Sequence, residues 1–291
     1  MSRYHIPVMV QECIQNLNLK TGGVYVDATL GGGGHSLAML GKCPEIQLLG
    51  FDQDKQAINH AGNVLQDFQD RITLIHANFR DLRTELALRQ IKRIDGILFD
   101  LGVSSHQIDM AERGFSFEAD ARLDMRMDQT EDRTAYDVVN GLSANELTYI
   151  FKRYGEELYA KRIALKIVAR RLESPINKTR ELSAVIDGAI SGNPKDIIKS
   201  KARIFQAIRI YLNDEIAALE QALIDAINIL APKGRIVVMS YHSLEDRVVK
   251  QCMKQWERGC DCPPQALKCI CGKQPKLRII TSKPVLASET E

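Results

Sequence analysis

Residues 27–36 have the sequence DATLGGGGHS, in which four consecutive glycines follow an apolar run. A strand, a glycine-rich turn and a helix leave bare backbone N–H groups that a nucleotide-like ligand can approach. Asp52 stands 21 residues after Gly31, at the end of the next apolar run. A carboxylate in that place commonly accepts hydrogen bonds from ribose hydroxyls. The two features predict a site for a ribose-containing ligand, against the alternative of a glycine turn without function.

Two classes of ligand use this geometry. Dinucleotides are bound by G-x-G-x-x-G, but the sixth position of that pattern is Ser36 when counted from Gly31 and Leu37 when counted from Gly32. S-adenosylmethionine has no pyrophosphate, accepts a looser glycine turn and still needs a carboxylate for its ribose. The sequence therefore favours S-adenosylmethionine and methyl transfer over an NAD-dependent dehydrogenase.

Two later positions would complete such a site. Phe79 follows the third apolar run and is expected to cover the adenine face, and Asp100 ends the fourth run. Ligands of open α/β sheets bind at the carboxyl ends of the strands, so both residues are expected at one edge. A Phe after a strand is often a core residue and an Asp there often caps a helix. Their joint occurrence in this order is what supports the prediction.

The elements that position these residues follow from the hydrophobic pattern. Apolar strands alternate with helical stretches over the first hundred residues, which predicts a parallel sheet covered on both faces. The alternation stops near Gly102 and resumes after residues 232–234 with another buried strand. The predicted architecture is one α/β domain, residues 1–108 and 209–291, interrupted by an inserted helical domain, residues 109–208. The predicted strands of the first part cover residues 24–28, 47–51, 72–76 and 94–100.

Within the insertion, residues 103–133 are rich in charge and follow neither period, which indicates an ordered functional loop or a lid. Ser143 and Glu146 form a capping box that opens a helix ending near Gly155. A second helix follows, and its predicted apolar face consists of Leu158, Leu165, Val168 and Leu172. A third helix is predicted near residues 181–190. A long helix over residues 202–230 has the apolar stripe Ile204, Ile208, Leu212, Leu219, Leu223 and Ile227.

Charge is unevenly distributed along the 291 residues, whose formal net charge is +2. Residues 152–209 contain fourteen Lys and Arg against six Asp and Glu, a net charge of +8. A basic segment of this kind predicts a polyanionic partner, since Lys and Arg displace counterions from phosphates, or else a set of solvated helix faces. The apolar fraction of 45% is typical of globular chains, and neither a signal-like start nor a membrane-spanning run is seen. We therefore expect a cytoplasmic protein.

Four of the seven cysteines are crowded near the end of the chain, in two C-x-C pairs separated by six residues. The spacing is compatible with a structural zinc site, although C-x-C has one residue between the two ligands, where two or more are usual. Reduced surface thiols or a disulfide are the alternatives. Methyl transfer needs no metal, so no catalytic metal is predicted. The four residues are Cys260, Cys262, Cys269 and Cys271.

The sequence closely resembles the bacterial 16S ribosomal RNA cytosine N(4)-methyltransferases, from His5 nearly to the end of the chain. The shared motifs are DATLGGGGHS (27–36), FDQD (51–54), ILFDLGVSSHQID (97–109), ERGFSF (112–117), LDMRMD (123–128), YGEE (154–157), IFQAIRI (204–210) and SYHSLEDR (240–247).

The resemblance implies transfer of a methyl group from S-adenosylmethionine to the exocyclic amine of a cytidine in the ribosomal decoding centre. It also implies a class I, Rossmann-like methyltransferase fold with an inserted helical domain that recognises 16S rRNA within the small subunit. The oligomeric state stays open, a homodimer included. The implied cofactor contacts are Gly33, Gly34, His35, Asp52, Phe79, Asp100 and Gln107.

Two residues are candidates for the chemistry. Asp100 is expected to accept a hydrogen bond from the cytosine amine and so localise its lone pair, or simply to hold the cofactor. His242 is expected to contact the target base or a phosphate or to relay the released proton, with the alternative that it caps the following helix.

Aromatic and basic residues near the insertion have two interpretations each. Phe115 and Phe117 either stack on an extruded base or pack on the core. Arg113, Arg122 and Arg126 either meet phosphates or pair with neighbouring aspartates at positions 120, 124 and 128. A methyltransferase with another acceptor and a non-catalytic RNA-binding module are the competing functions.

Overall fold

The computed structural model describes residues 7–260, 262, 268 and 270–287. Two compact units are present. The sheet unit comprises residues Met1–Gly102 and Ile216–Glu291, and the helical unit comprises Val103–Glu215. The helical unit is wider than the predicted insertion, residues 109–208, on both sides. It begins directly after the glycine that ends the first α/β segment.

The described part of the chain contains five strands and twelve α-helices. In chain order they are α1 (Val10–Leu17), β1 (Val24–Asp27), α2 (Gly34–Lys42), β2 (Gln47–Asp52), α3 (Lys55–Val64), β3 (Ile72–His76), α4 (Leu82–Leu88), β4 (Ile94–Asp100), α5 (Ser105–Asp109), α6 (Ala135–Gly141), α7 (Ala144–Gly155), α8 (Ala160–Glu173), α9 (Thr179–Asp187), α10 (Pro194–Leu212), α11 (Glu215–Ile229), β5 (Leu230–Met239) and α12 (Ser243–Arg258).

The sheet is entirely parallel, with strand order β3-β2-β1-β4-β5. The register pairs Asp52 with His76 and Asp100 with Met239, so the ends of neighbouring strands lie side by side. The predicted parallel α/β sheet is confirmed, and strands β3 and β4 have the predicted bounds. Because all strands run the same way, the polar residues that follow them collect at one edge.

Successive residues of the central strands enter opposite cores. In β4, Ile97 and Phe99 pack with α4 and α11, whereas Leu98 packs with residues of α1 and α2 on the other face. All three side chains are fully buried. A strand buried on both faces reads as a continuous apolar run, and this explains the IDGILFD pattern.

The helical unit has its own core, built from α6 to α10 and from the segment before them. The predicted capping box at the start of α7 is present, with Glu146 N–H donating to Ser143 Oγ at 3.3 Å. The helix ends at Gly155, as predicted. No described helix in either unit combines the length and the apolar character needed to cross a membrane.

The predicted buried face of α8 was wrong except at Val168, which packs against the core of the helical unit. Leu158, Leu165 and Leu172 are exposed by 83%, 52% and 84%. The helix presents another stripe to the core, whose members are Ala160, Ile163, Ala164 and Ile167. Both stripes have helical spacing, and the buried one contains two alanines, which a search for large apolar side chains passes over.

The predicted long helix is two helices. The chain breaks between α10 and α11, where Asp214 adopts a left-handed φ of 51°. The side chain of Asn213 accepts the N–H of Met127 at 2.8 Å and donates to the carbonyl of Met125 at 2.9 Å. Asn213 thus hydrogen-bonds the backbone of the charged segment before α6. The predicted apolar stripe runs through the break at helical spacing, so no local pattern indicates that the helix ends there.

Candidate functional site

The glycine loop after β1 packs against the protein itself at two positions. Gly33 has φ 80°, and a Cβ there would lie 3.3 Å from Ala61 of α3 and from Leu65, which directly follows that helix. A Cβ at Gly34 would lie 2.7 Å from Cγ of Pro7. These contacts hold the start of α2, which begins at Gly34, close to α3 and Pro7. No side chain caps this helix, so its first N–H groups are suited to a polar ligand.

Asp52 lies at the end of β2, beside this loop. Its Oδ2 accepts the N–H of Gly31 at 2.8 Å, and its Oδ1 accepts the N–H of Asp54 at 2.8 Å. Burial raises the pKa of Asp52 to about 6, against the lowering effect of these two hydrogen bonds. Each carboxylate oxygen retains acceptor capacity for another donor, as a ribose diol would require.

Asp27 fixes the loop from the end of β1, and our sequence reasoning gave it no role. Its carboxylate accepts the hydroxyl of Ser36 at 2.7 Å and the N–H of Thr29 at 3.2 Å. The residue is 1% exposed, and burial raises its pKa. A charged residue inside an otherwise buried strand was the signal that could have identified it.

Asp100 is held from three directions at the end of β4. Its N–H donates to Oγ1 of Thr29 at 2.6 Å, and its Oδ1 accepts the hydroxyl of Tyr241 at 2.7 Å. Its Oδ2 lies 3.6 Å from Nδ1 of His35. Nε2 of His35 in turn lies 3.1 Å from the carbonyl of Val8. Since a carbonyl only accepts, that nitrogen carries a hydrogen and the ring orientation is fixed.

Tyr241 is a site residue that sequence reasoning missed. It follows β5, the strand that pairs with β4, and the residue is 59% exposed. Burial of the hydroxyl and the negative charge of Asp100 raise the pKa of Tyr241, so the phenol stays a donor. Its position in SYHS, two residues after the end of a strand, was the available signal.

His242 is the N-cap of α12, as the structural alternative predicted. Its Nδ1 accepts the N–H of Glu245 at 3.4 Å, and its Nε2 lies 3.0 Å from Oε1 of Glu245. Oε2 of the same carboxylate accepts the N–H of Tyr241 at 2.9 Å. Glu245 thereby links the cap to the residue that contacts Asp100. A catalytic role of His242 stays a prediction.

Phe79 begins a short 3₁₀ turn after β3 and is half-buried. Its ring meets Phe99 edge to face, with centroids 5.8 Å apart. The neighbouring Asn78 donates to the side chain of Gln53 at 2.7 Å, which ties the ends of β2 and β3 together. Phe79 therefore has the core contact that the alternative predicted and also borders the strand edge.

Gln107 belongs to the helical unit. It occupies the third position of α5, where its side chain accepts the N–H of Ser104 at 3.1 Å and its own N–H donates to the Ser104 hydroxyl at 3.2 Å. Within its unit this residue serves a helix cap. The cofactor contact of Gln107 stays a prediction.

Most charges and aromatic rings of the 113–128 segment are used inside the helical unit. Arg113 is 1% exposed and donates to the carbonyls of Arg126 and Met127 at 3.0 and 3.2 Å, so it is unavailable for phosphates. Nη2 of Arg126 pairs with Oδ2 of Asp124 at 2.7 Å. Arg122, by contrast, is exposed.

The two phenylalanines pack on the core of the helical unit. Phe117 meets Phe205 edge to face, with centroids 5.6 Å apart, and the Arg113 guanidinium lies 5.8 Å from the centre of the Phe115 ring. The core-packing alternative therefore describes both residues in this structure.

Three of the four predicted zinc ligands come together. Cys260, Cys262 and Cys271 place their Sγ atoms within 4.8 Å of one another, whereas Cys269 lies outside the described residues. This cluster follows α12 and is separate in sequence from the strand-end residues.

The strand-end residues combine an uncapped helix N-terminus, a carboxylate suited to a diol and a second carboxylate with a phenol donor. Such a set fits a nucleoside-containing ligand with a polar amino-acid end. It can also offer an acceptor to an amine.

Comparisons with known proteins agree with this chemistry. The chain matches the MraW methylase family over residues 2–291. It is 48% identical over 287 residues to ribosomal RNA small subunit methyltransferase H of Carboxydothermus hydrogenoformans, covering 99% of this chain and 92% of that protein. It is 49% identical to the protein of the same name from Geotalea uraniireducens, covering 99% and 93%. The chain therefore belongs to the MraW methylase family.

Proposed function

We propose that the chain transfers a methyl group from S-adenosylmethionine to the exocyclic N4 amine of a cytidine in the decoding centre, the P site, of 16S rRNA. The observation that carries the proposal is the alignment of Asp52 and Asp100 at the ends of β2 and β4, around the uncapped start of α2. The similarity to proteins named ribosomal RNA small subunit methyltransferases supports the class of substrate.

The residues present fit S-adenosylmethionine. Asp52 would accept the ribose hydroxyls, Phe79 would border the adenine, and the loop residues Gly33, Gly34 and His35 would meet the amino-acid end. Asp100 and Gln107 are the remaining proposed contacts. When bound, the cofactor supplies a methyl group activated by a positively charged sulfur.

Asp100 is the proposed catalytic residue. The cytosine amine is a weak nucleophile because its lone pair is delocalised into the ring. A carboxylate that accepts one of the amine hydrogens localises that pair and orients it. Thr29, His35 and Tyr241 fix Asp100 for this task, because each contacts a different atom of the residue.

His242 is proposed to act mainly as a positioning residue. Both ring nitrogens face Glu245, which also binds the backbone of Tyr241. The imidazole thus sets the start of α12 and the place of the phenol. A direct contact with the base or a proton relay is the alternative that the variants described below distinguish.

RNA recognition is proposed for the helical unit. Residues 152–209 carry a net charge of +8. Lys and Arg side chains bind phosphates in a salt-dependent way. Arg122 is the proposed phosphate contact from the preceding segment. A base inside paired RNA must be extruded before its amine can react. A ribosomal substrate implies a cytoplasmic protein.

The test is incubation with isotopically labelled S-adenosylmethionine and small ribosomal subunits from cells that lack the modification, followed by mass spectrometry of the nucleosides. We expect labelled 4-methylcytidine at one site, and none with the Asp100→Ala variant. Label on another nucleoside would replace the proposed acceptor. Cofactor-independent RNA binding without any label would favour a non-catalytic binding module.

A further inference from the structure

The cysteine cluster lies just beyond α12, in the sheet unit. Sγ of Cys271 is 3.6 Å from Sγ of Cys260, and all three described sulfurs lie within 4.8 Å of one another. A disulfide needs about 2.05 Å between sulfurs. Four ligands at about 2.3 Å around a tetrahedral zinc ion are about 3.8 Å apart. The sulfur separations therefore suit a shared metal ion better than a covalent pair.

The backbone is shaped to present these sulfurs. Gly259, with φ 61°, ends α12 directly before Cys260, and Gly272, with φ 64°, directly follows Cys271. The N–H of Cys262 donates to Sγ of Cys260 at 3.4 Å. Nη2 of Arg258 donates to the carbonyl of Cys262 at 2.9 Å, which fixes the first C-x-C turn against the helix.

The chain after the cluster returns along α12. The N–H of Lys276 donates to the carbonyl of Trp256 at 3.1 Å, and its ammonium lies 4.7 Å from the centre of the Trp256 ring and 2.8 Å from Oδ1 of Asn228. The N–H of Ile279 donates to Glu257 at 2.7 Å. A cross-link at the cluster would hold this returning segment on α12, the helix that His242 caps.

We propose that Cys260, Cys262 and Cys271 bind a structural zinc ion that clasps the end of α12 to the returning segment. Thiolate is a ligand type that zinc binds well in proteins, and structural zinc sites are tetrahedral, so one further ligand completes the set of three sulfurs. On binding, the thiols release their protons to solvent and the sulfurs become metal ligands. The metal takes no part in methyl transfer.

Zinc content of the full chain tests the proposal. The untagged protein is purified under reducing conditions without added metal, and zinc is measured by mass spectrometry against protein concentration. We expect one zinc per chain and its release by a mercurial reagent. Cys260→Ser and Cys271→Ser should lose most of the metal.

Matched controls and a second metal guard against misfolded variants. Cys43→Ser and Cys252→Ser remove cysteines outside the cluster and should retain zinc. Adding Co²⁺ to the demetallated wild-type chain should produce the intense absorption of tetrahedral cobalt thiolate, which needs no variant. Absence of both zinc and the cobalt spectrum would overturn the proposal. So would a Cys260–Cys271 disulfide in the reduced preparation, or equal zinc loss in Cys252→Ser.

Discussion

The two units use charged residues in opposite ways. At the strand ends of the sheet unit, Asp52 and Asp100 are held by backbone or side-chain donors and still retain acceptor capacity. In the 113–128 segment of the helical unit, Arg113 is buried on carbonyls and Arg126 is paired with Asp124. Charged residues are thus proposed to form a ligand site in the sheet unit, whereas those of the 113–128 segment form structural bonds. The proposed difference lies in the acceptor capacity that remains at the ends of β2 and β4.

Among variants of the two units, Asp100→Asn should have the largest effect on kcat. Loss of the carboxylate is expected to lower kcat by about 10²- to 10⁴-fold, because the amine lone pair is no longer localised. Single-turnover methyl transfer measures it. The matched control in the helical unit is Asp128→Asn, whose carboxylate serves a local turn through Thr130 and should leave kcat unchanged. A normal rate in Asp100→Asn would remove the catalytic role.

In the helical unit, substitution of a buried charged residue should lower the free energy of unfolding instead of kcat. Arg113→Met leaves two carbonyls without their buried donor and is expected to cost about 2–4 kcal/mol in the free energy of unfolding. Arg122→Met, at an exposed position of the same segment, should change stability by less than about 0.5 kcal/mol and weaken RNA binding. Urea unfolding and filter binding measure the two effects. Equal stability of the two variants would contradict the structural assignment of Arg113.

Cofactor affinity should follow the ionisation of Asp52. The pKa of Asp52 is raised to about 6 by burial, and donors on a bound ribose favour the charged form. Affinity for S-adenosylhomocysteine is therefore constant above that pKa and falls as pH drops through it, by about tenfold per pH unit at most. Asp52→Asn should bind about 10- to 100-fold more weakly at pH 7.5 and lose this pH dependence. Calorimetry from pH 5 to 8 measures both, and an unchanged profile in the variant would exclude Asp52.

The link from Tyr241 to Asp100 should have a smaller effect. Tyr241→Phe removes one donor and keeps the ring, so kcat is expected to fall about 3- to 10-fold with little change in the KM for the cofactor. Tyr159→Phe, a partly exposed tyrosine of the helical unit, is the matched control. A change in KM alone would indicate that the phenol serves binding and not the orientation of Asp100.

The smallest effect separates the two roles of His242. Asn is a good N-cap, so His242→Asn should retain kcat within about twofold, whereas His242→Ala should lose about 1 kcal/mol of stability. Rates across pH and thermal unfolding of the two variants measure this. A large loss of kcat in His242→Asn with unchanged folding would favour the proton relay.

The sequence predicted the sheet unit better than the helical one. Strands β3 and β4 had the predicted bounds. β4 is buried on both faces and reads as a nearly continuous apolar run, whereas the edge strand β3 buries only Ile75 completely. In the helical unit, α8 has apolar residues on two sides, and only tertiary packing selects Ala160 and Ile163 over Leu165 and Leu172. The break at Asn213 depends on bonds to residues more than eighty positions away, which no local pattern contains.

The site shows the same division. Asp52 and Asp100 were predicted as site residues because each ends an apolar run, a property of local sequence. Asp27 ends β1 as well, but the predicted strand continued to residue 28, and its contact with Ser36 is visible only in the structure. Tyr241 was missed because its importance lies in its contact with Asp100. From the sequence, a helix cap and a role in the chemistry were equally supported for His242. In the structure both ring nitrogens face Glu245, which is the geometry of the cap.

The most direct measurement is a calorimetric titration of S-adenosylhomocysteine into the wild-type chain and into Asp52→Asn, Asp100→Asn and Asp128→Asn. The ligand is expected to bind one site per chain, with unchanged affinity in Asp128→Asn and at least about tenfold weaker affinity in the two strand-end variants. Equal affinity in all four proteins, or a loss confined to Asp128→Asn, would contradict a cofactor site built on the strand ends of the sheet unit.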